Sequence, residues 1–118
     1  AAYAAPAADA ALMAKGKTVY EKNCAACHGK NGEGRAPVFP PLTKADYIEG
    51  KPQVLAKAIV KGIRGPITVT GKPYHGIMPF IAMSDADAAA LSTFVMNAFN
   101  NGGGTVTEKD IKQARSQK

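Results

Sequence analysis

The chain has 118 residues, of which 46% are hydrophobic and 7% aromatic, so its length suits one small domain and its side chains alone would make a thin core. Its formal net charge is +6, but the basic residues are scattered singly, which excludes the basic blocks of a nucleic-acid-binding tail and favours an acidic protein partner. No apolar run approaches the length that spans a bilayer, so we expect no transmembrane segment.

The chain divides into three parts by composition. Residues 1–11 are rich in Ala and Pro and have neither the basic start nor the apolar centre of a signal peptide, which favours an N-terminal extension or linker. Residues 12–104 hold the apolar patterns of the domain itself. Residues 105–118 form a polar tail with few apolar positions, so we expect at most a short helix there.

A first helix is predicted before the cysteines. Asp9 is a candidate N-cap, and the helix should deliver Cys24 from its C-terminal end. The apolar residues at helical spacing along it are Leu12, Met13, Val19 and Tyr20.

The stretch CAACH, residues 24–28, contains both cysteines of the chain and one of its two histidines. Cys-x-x-Cys-His is the spacing of c-type haem attachment, in which each thiol adds to a haem vinyl group and the adjacent imidazole becomes the proximal iron ligand. A redox disulfide would need a thioredoxin-like βαβ pattern, which is absent. A structural zinc site needs four ligands, and only His75 remains, at an untypical distance. Cys24, Cys27 and His28 therefore predict one covalent haem c.

Two loops and three helices are predicted downstream of this motif. Gly and Pro punctuate residues 29–41 and 62–78, of which the second should be an extended loop with a short β-turn. Two short scaffold helices are predicted, one beginning at a Thr43 cap and one at Pro52. The last helix should begin at a Ser84 cap.

These motifs together resemble a class I c-type cytochrome. The similarity runs from Gly16 to about Gly104 and rests on GKTVYEKNCAACHGKNGEG, VFPPL, GIRGPITVTGKPYHGIMP and MSDADAAALSTFVMNAF. The middle stretches are most similar to monohaem cytochromes that occur as domains or subunits of periplasmic oxidoreductases, including haem-bearing copper nitrite reductases and quinoprotein alcohol dehydrogenases. In this family a small residue and an aromatic, here Gly16 and Tyr20, pack against the last helix.

The resemblance implies a fold and a function. The fold is all-α, with helices packed around one covalent haem that makes much of the core. The function is one-electron transfer between periplasmic redox proteins, so the chain is expected to be a carrier and not an enzyme. The alternative is an electron-entry domain or subunit of a larger oxidoreductase, such as a nitrite reductase or an alcohol dehydrogenase.

The resemblance also implies partners on the proximal side of the haem. A proximal imidazole donates its second N–H to a carbonyl group, which orients the ring. The family pattern puts that carbonyl on Pro40, with Pro41 as the close alternative. Phe39 and Leu42 would then pack against the haem, although both also suit an ordinary core.

The distal iron ligand is expected to be Met78. It ends a Gly-rich loop and precedes Pro79, whose fixed φ favours an extended backbone that can present the sulfur inward, and the family's distal ligand belongs to a Met-Pro pair just before the last helix. Met83 looks like a hydrophobic staple. His75 is the chemical rival, because a second histidine would lower the potential. The other candidates, Met13 and Met96, lie in helical stripes typical of core.

Two polar side chains are candidates for the haem propionates. Arg64 and Tyr74 could hydrogen-bond or neutralise them, because a buried carboxylate needs such partners. The alternatives are that Arg64 is a solvated loop charge and that Tyr74 is a half-buried aromatic.

A basic surface is expected beside the Met78 loop. No acidic residue lies between Glu49 and Asp85, and this interval contains Lys51, Lys57, Lys61, Arg64 and Lys72. Such a patch would steer an acidic redox partner toward the haem edge.

Overall fold

The computed structural model describes residues 10–35 and 39–117. The candidate N-cap Asp9 and most of the expected N-terminal extension lie outside these ranges. The described residues form five helices and one hairpin: α1 (Ala10–Asn23), α2 (Ala25–His28), α3 (Pro52–Lys61), β1 (Ile67–Val69), β2 (Lys72–Tyr74), α4 (Asp85–Ala98) and α5 (Glu108–Ser116). None of the helices in these ranges is both long enough and apolar enough to cross a bilayer.

The crossing of α1 and α4 is the main helix contact of the fold. It depends on Gly16, because a Cβ atom there would lie 2.6 Å from Phe94 Cβ and would clash with the Ala90 carbonyl oxygen. Tyr20 follows one turn later, is fully buried, and has ring centroids 5.7 Å from Phe94 and 5.1 Å from Phe99. The expected packing of a small residue and an aromatic against the last helix is therefore confirmed.

The segment of residues 43–50, predicted to be a helix, is a series of turns. The predicted cap does not form, because the Thr43 hydroxyl donates to the Asn31 carbonyl and the Asp46 carboxylate accepts from the Thr70 N–H, both at 2.8 Å. Three further backbone N–H groups of the segment donate to residues that follow α4. Tertiary hydrogen bonds have thus replaced those of a helix, and this prediction was wrong.

The loop of residues 62–78 contains a small antiparallel sheet, in which Ile67 lies opposite Tyr74. Its turn residues Thr70 and Gly71 both have positive φ, 48° and 80°, as a two-residue hairpin turn of the primed type requires. The all-α expectation is correct for most of the described chain but omits this hairpin.

Helix α4 begins as predicted, since the Ser84 hydroxyl accepts the Asp87 N–H at 3.1 Å. Its residues from Ala88 to Met96 are all buried, because α1, α3 and α5 all pack against it. The helix therefore forms the centre of the described fold.

Helix α5 makes the polar C-terminal region part of the folded body. It has nine residues and begins with a reciprocal capping box between Thr107 and Asp110. Ile111 is fully buried where the helix packs against α3 and α4. Arg115 donates to the Asp85 carboxylate at 2.7 Å and to the Met83 carbonyl at 2.8 Å, which ties α5 to the start of α4.

Candidate haem site

The CAACH stretch forms a single helical turn directly after α1. The Cys24 N–H continues the α1 pattern by donating to the Tyr20 carbonyl, and the His28 N–H donates to the Cys24 carbonyl at 2.9 Å. The buried Tyr20 hydroxyl donates to the Gly29 carbonyl at 2.6 Å, which fixes the end of the turn. No disulfide joins Cys24 to Cys27.

An apolar cavity of about 240 Å³ lies beside this turn. Cys24, Cys27 and His28 all line it, so the structure brings the three residues of the motif to one cavity. The rest of its surface is largely hydrocarbon, including Leu55, Ile59, Ile67, Val69, Leu91 and Val95. An apolar cavity with two thiols and an imidazole on its surface fits a covalently attached haem.

The imidazole of His28 is held by a backbone carbonyl. Its Nδ1 lies 2.9 Å from the Pro40 oxygen, so Nδ1 carries the proton and donates, and the lone pair is on Nε2. Burial lowers the pKa of His28, an effect that the hydrogen bond to Pro40 partly offsets. The ring is therefore neutral near pH 7, with one nitrogen able to bind a metal. Of the two prolines considered, Pro40 provides this carbonyl.

Burial of the Cys24 side chain disfavours ionisation of its thiol. Burial, followed by the charge of Cys27, raises the pKa of Cys24 to about 12. Because the thiolate is the reactive form of cysteine, burial lowers the reactivity of the Cys24 thiol.

Met78 is the methionine that reaches the cavity, among the described residues. Its backbone pairs with Ile63 through two hydrogen bonds of 2.9 and 3.0 Å, which hold the loop against the end of α3. Only a glycine at position 62 allows the Met78 loop to approach α3 this closely, because a Cβ atom there would lie 2.6 Å from the Met78 oxygen. Gly62 also has a φ of 80°, which favours glycine.

The rival distal ligands lie elsewhere. Met83 packs against the core but does not line the cavity, and its carbonyl is bound by Arg115. His75 is exposed and does not line the cavity either. Met13 packs beside the core, and Met96 is fully buried within α4.

The remaining predicted site residues divide into two groups. Phe39, Leu42 and Tyr74 line the cavity, and the Phe39 ring lies 6.4 Å from that of His28 in an edge-on arrangement. Arg64 is exposed and is not part of the cavity surface. The structure thus places Tyr74, but not Arg64, where it can contact a ligand in the cavity.

Sequence reasoning missed the cavity residues of α3 and of the hairpin. The helix that begins at Pro52 was predicted only as scaffold, yet its residues Leu55 and Ile59 both line the cavity. Ile67 and Val69 also line it, and the alternation in ITVT was the signal that could have shown one face of a strand turned inward.

The zinc alternative has no geometric support in the described part of the chain. There, no group of three or more His, Cys, Asp or Glu side chains is placed to hold a metal ion.

Comparison with known proteins gives consistent matches. The family model for cytochrome c matches residues 13–99. Cytochrome c-552 of Thermus thermophilus is 31% identical over 92% of this chain and 80% of its own length. The CcoP subunit of the cbb3-type cytochrome c oxidase of Azospirillum brasilense is 35% identical over 81% of this chain but only 30% of its own length. The cytochrome c subunit of the quinone alcohol dehydrogenase of Gluconobacter oxydans is 34% identical over 86% of this chain and 22% of that protein.

The chain belongs to the cytochrome c family. It accordingly binds a covalently attached haem c and takes part in electron transfer with redox partners.

Proposed function

We propose that this cytochrome is a periplasmic one-electron carrier in which Cys24 and Cys27 hold the haem and His28 and Met78 are its axial ligands. The observation that carries the proposal is that one apolar cavity is lined by all four of these residues. They come from two distant segments, the turn after α1 and the loop before α4, so their meeting is a product of the fold.

The two thiols provide the attachment. Addition of each S–H across a vinyl group forms one S–C bond and places the hydrogen on the neighbouring carbon, so no oxidant is consumed.

Phe39, Leu42 and Tyr74 contribute apolar contact around the haem ring. Arg64 remains the candidate for a propionate at the rim, since its side chain is exposed.

The two axial groups are both neutral and both held in place. His28 is oriented by the Pro40 carbonyl, and Met78 is held by its backbone pairing with Ile63. The haem supplies an iron that alternates between Fe(II) and Fe(III). Neutral ligands in an apolar cavity favour a relatively high potential, and fixed ligands limit reorganisation during electron transfer.

Carbon monoxide binding is the direct test of this function. If the chain itself occupies both axial positions, the visible spectrum of the reduced, untreated protein should not change under carbon monoxide at neutral pH. The control is the same protein in denaturant, where Met78 is released and carbon monoxide should bind. Ready binding to the untreated protein would instead indicate an open iron, as in a haem enzyme or a gas-binding protein.

The docking surface is proposed to be basic and to lie beside the Met78 loop. Because Ile63 pairs with Met78, the neighbouring Lys61 and Arg64, both exposed, lie along this loop. Phe80, on the same loop, keeps 64% of its surface exposed. A basic edge beside an exposed aromatic suits an acidic protein partner with an apolar centre.

Small charged oxidants can measure this local charge. Oxidation of the ferrous protein by hexacyanoferrate(III), an anion, should slow about tenfold between low and physiological salt, whereas oxidation by the cationic tris(1,10-phenanthroline)cobalt(III) should become faster. Lys61→Glu should slow the anionic reaction several-fold at low salt and leave the potential unchanged. The matched control is Lys17→Glu on α1, which makes the same charge change away from the loop.

Equal effects of the two substitutions would contradict the docking surface. Oxidation rates that do not change with salt concentration would also contradict the proposed docking surface.

A second candidate is an electron-entry unit of a larger oxidoreductase. The matches to the CcoP subunit and to the alcohol dehydrogenase subunit support it, because in both the similar region is a minor part of a longer chain. The match over 80% of cytochrome c-552 supports a free carrier. If the chain is a tethered unit, the rate of electron transfer with its natural partner should not depend on salt concentration, because the electrons arrive without diffusional encounter.

A further inference from the structure

Asn101, just after α4, has a fully buried side chain with every polar atom engaged. Its Oδ1 accepts the Ala45 N–H at 2.9 Å, and its Nδ2 donates to the Leu42 carbonyl at 2.7 Å and to the Val95 carbonyl at 3.0 Å. The backbone carbonyl of Asn101 also accepts the Gly50 N–H at 2.8 Å. The side-chain amide and the backbone carbonyl of Asn101 therefore join the end of α4 to the segment of residues 42–50.

The Leu42 carbonyl held by Asn101 is close in sequence to the carbonyl that orients the imidazole. Pro40 accepts from His28 Nδ1, and only Pro41 lies between Pro40 and Leu42. Two consecutive prolines fix φ at both positions, so the segment has little freedom to turn on its own. The Leu42 N–H also donates to the Gly32 carbonyl at 2.6 Å, so Asn101 and Gly32 together hold Leu42 and restrict the direction of the Pro40 carbonyl.

We propose that Asn101 is a positioning residue for the iron's proximal ligand. By holding Leu42 it aims the Pro40 carbonyl at His28, and this hydrogen bond sets both the ring orientation and the basicity of the imidazole. A more basic imidazole stabilises Fe(III), so Asn101 helps to set the reduction potential from a position that does not line the cavity. The proposal rests on His28 being an iron ligand.

Asn97 provides a matched control. It lies one turn earlier on α4, and its Nδ2 donates to the Thr93 and Gly104 carbonyls, both at 2.7 Å. Loss of its amide removes two hydrogen bonds at the same end of the same helix, but neither of them leads to Pro40. Comparing variants of the two asparagines thus distinguishes a general loosening of the C-terminal region from a specific effect on His28.

The experiment compares Asn101→Ala with Asn97→Ala in the haem-loaded protein. Both should lower Tm. Only Asn101→Ala should shift the redox equilibrium toward Fe(II), by about threefold to tenfold, and speed hydrogen exchange at His28 Nδ1–H at least about tenfold in the ferrous protein. The proposal is overturned if Asn101→Ala lowers Tm and leaves both readouts at the wild-type values, or if Asn97→Ala shifts them equally.

A second variant, Asn101→Asp, tests the same amide without removing its bulk. Its neutral carboxylic acid can still accept from Ala45 and donate to Leu42, whereas its ionised form cannot donate. Its potential should therefore match that of the wild type at acidic pH and depart from it as the carboxyl ionises, at a pH raised by burial. A difference from wild type that does not vary with pH would overturn the role of the donated hydrogen bond.

The outcome for Asn101 is separable from that of the proposed function. If His28 is not an iron ligand, the magnetic resonance spectra of the wild-type protein will lack the signals of a bound imidazole before any variant is made. If His28 is bound and the Asn101 variants behave like the Asn97 control, only the present inference fails.

Discussion

Replacing Cys24 or Cys27 by Ala is expected to abolish double attachment of the haem. The wild-type chain, denatured and weighed, should have the mass of the polypeptide plus one haem and no free thiol. Each variant should give a product with one thioether bond or with little haem, and it should be much less stable, because a small domain loses much of its apolar interior when the cofactor is lost. Mass spectrometry and a haem-stained denaturing gel measure both effects.

The matched control for the cysteine variants is Ala26→Ser. This residue is exposed and lies between the two cysteines, so the substitution changes the motif without removing a thiol. Haem content should then equal that of the wild type. Two free thiols, or a disulfide between Cys24 and Cys27, in protein matured with the haem-attachment machinery would refute the assignment of these cysteines.

Met78→Ala is expected to open the iron, whereas Met83→Ala should not. Loss of the Met78 sulfur should remove the weak long-wavelength absorption of thioether-bound ferric haem, lower the potential, and let carbon monoxide bind the reduced protein. Met83 does not line the cavity, so Met83→Ala should keep all three properties. Since Met83 packs against the core, its loss should cost about 1–3 kcal/mol of unfolding free energy.

His75→Ala gives the control for the loop itself. His75 is exposed on the same loop as Met78, so this variant should keep the wild-type spectrum and potential. If Met83→Ala or His75→Ala opened the iron and Met78→Ala did not, the proposed ligand would be wrong.

The proximal part of the candidate site could be predicted from sequence because its geometry is local. Cys24, Cys27 and His28 lie within five positions, and one helical turn brings them to the same cavity without help from the rest of the chain. The start of α4 was predictable for the same reason, since Ser84 and Asp87 form a cap within a single turn.

The parts that were missed depend on contacts between distant segments. Thr43 and Asp46 have the spacing of a helix cap, but Asn31 and Thr70 bind them instead. Asn101 belongs to none of the motifs singled out in the sequence, although its amide holds a segment more than fifty positions earlier. Local propensity cannot anticipate such bonds, because the partners are brought together only by the folded chain.

The contact between α1 and α4 has a consequence for the order in which the molecule is assembled. This contact joins helices near opposite ends of the chain. Leu91 and Val95 of α4 line the cavity beside Cys24. The cavity therefore cannot close until α4 has been synthesised and has docked. Docking of α4 on α1 must also overcome the entropy of closing the loop between them. Until then the part of the cavity surface that Leu91 and Val95 form beside Cys24 is missing. We therefore expect the haem to be joined most readily to the unfolded chain, which then folds around a cofactor already in place.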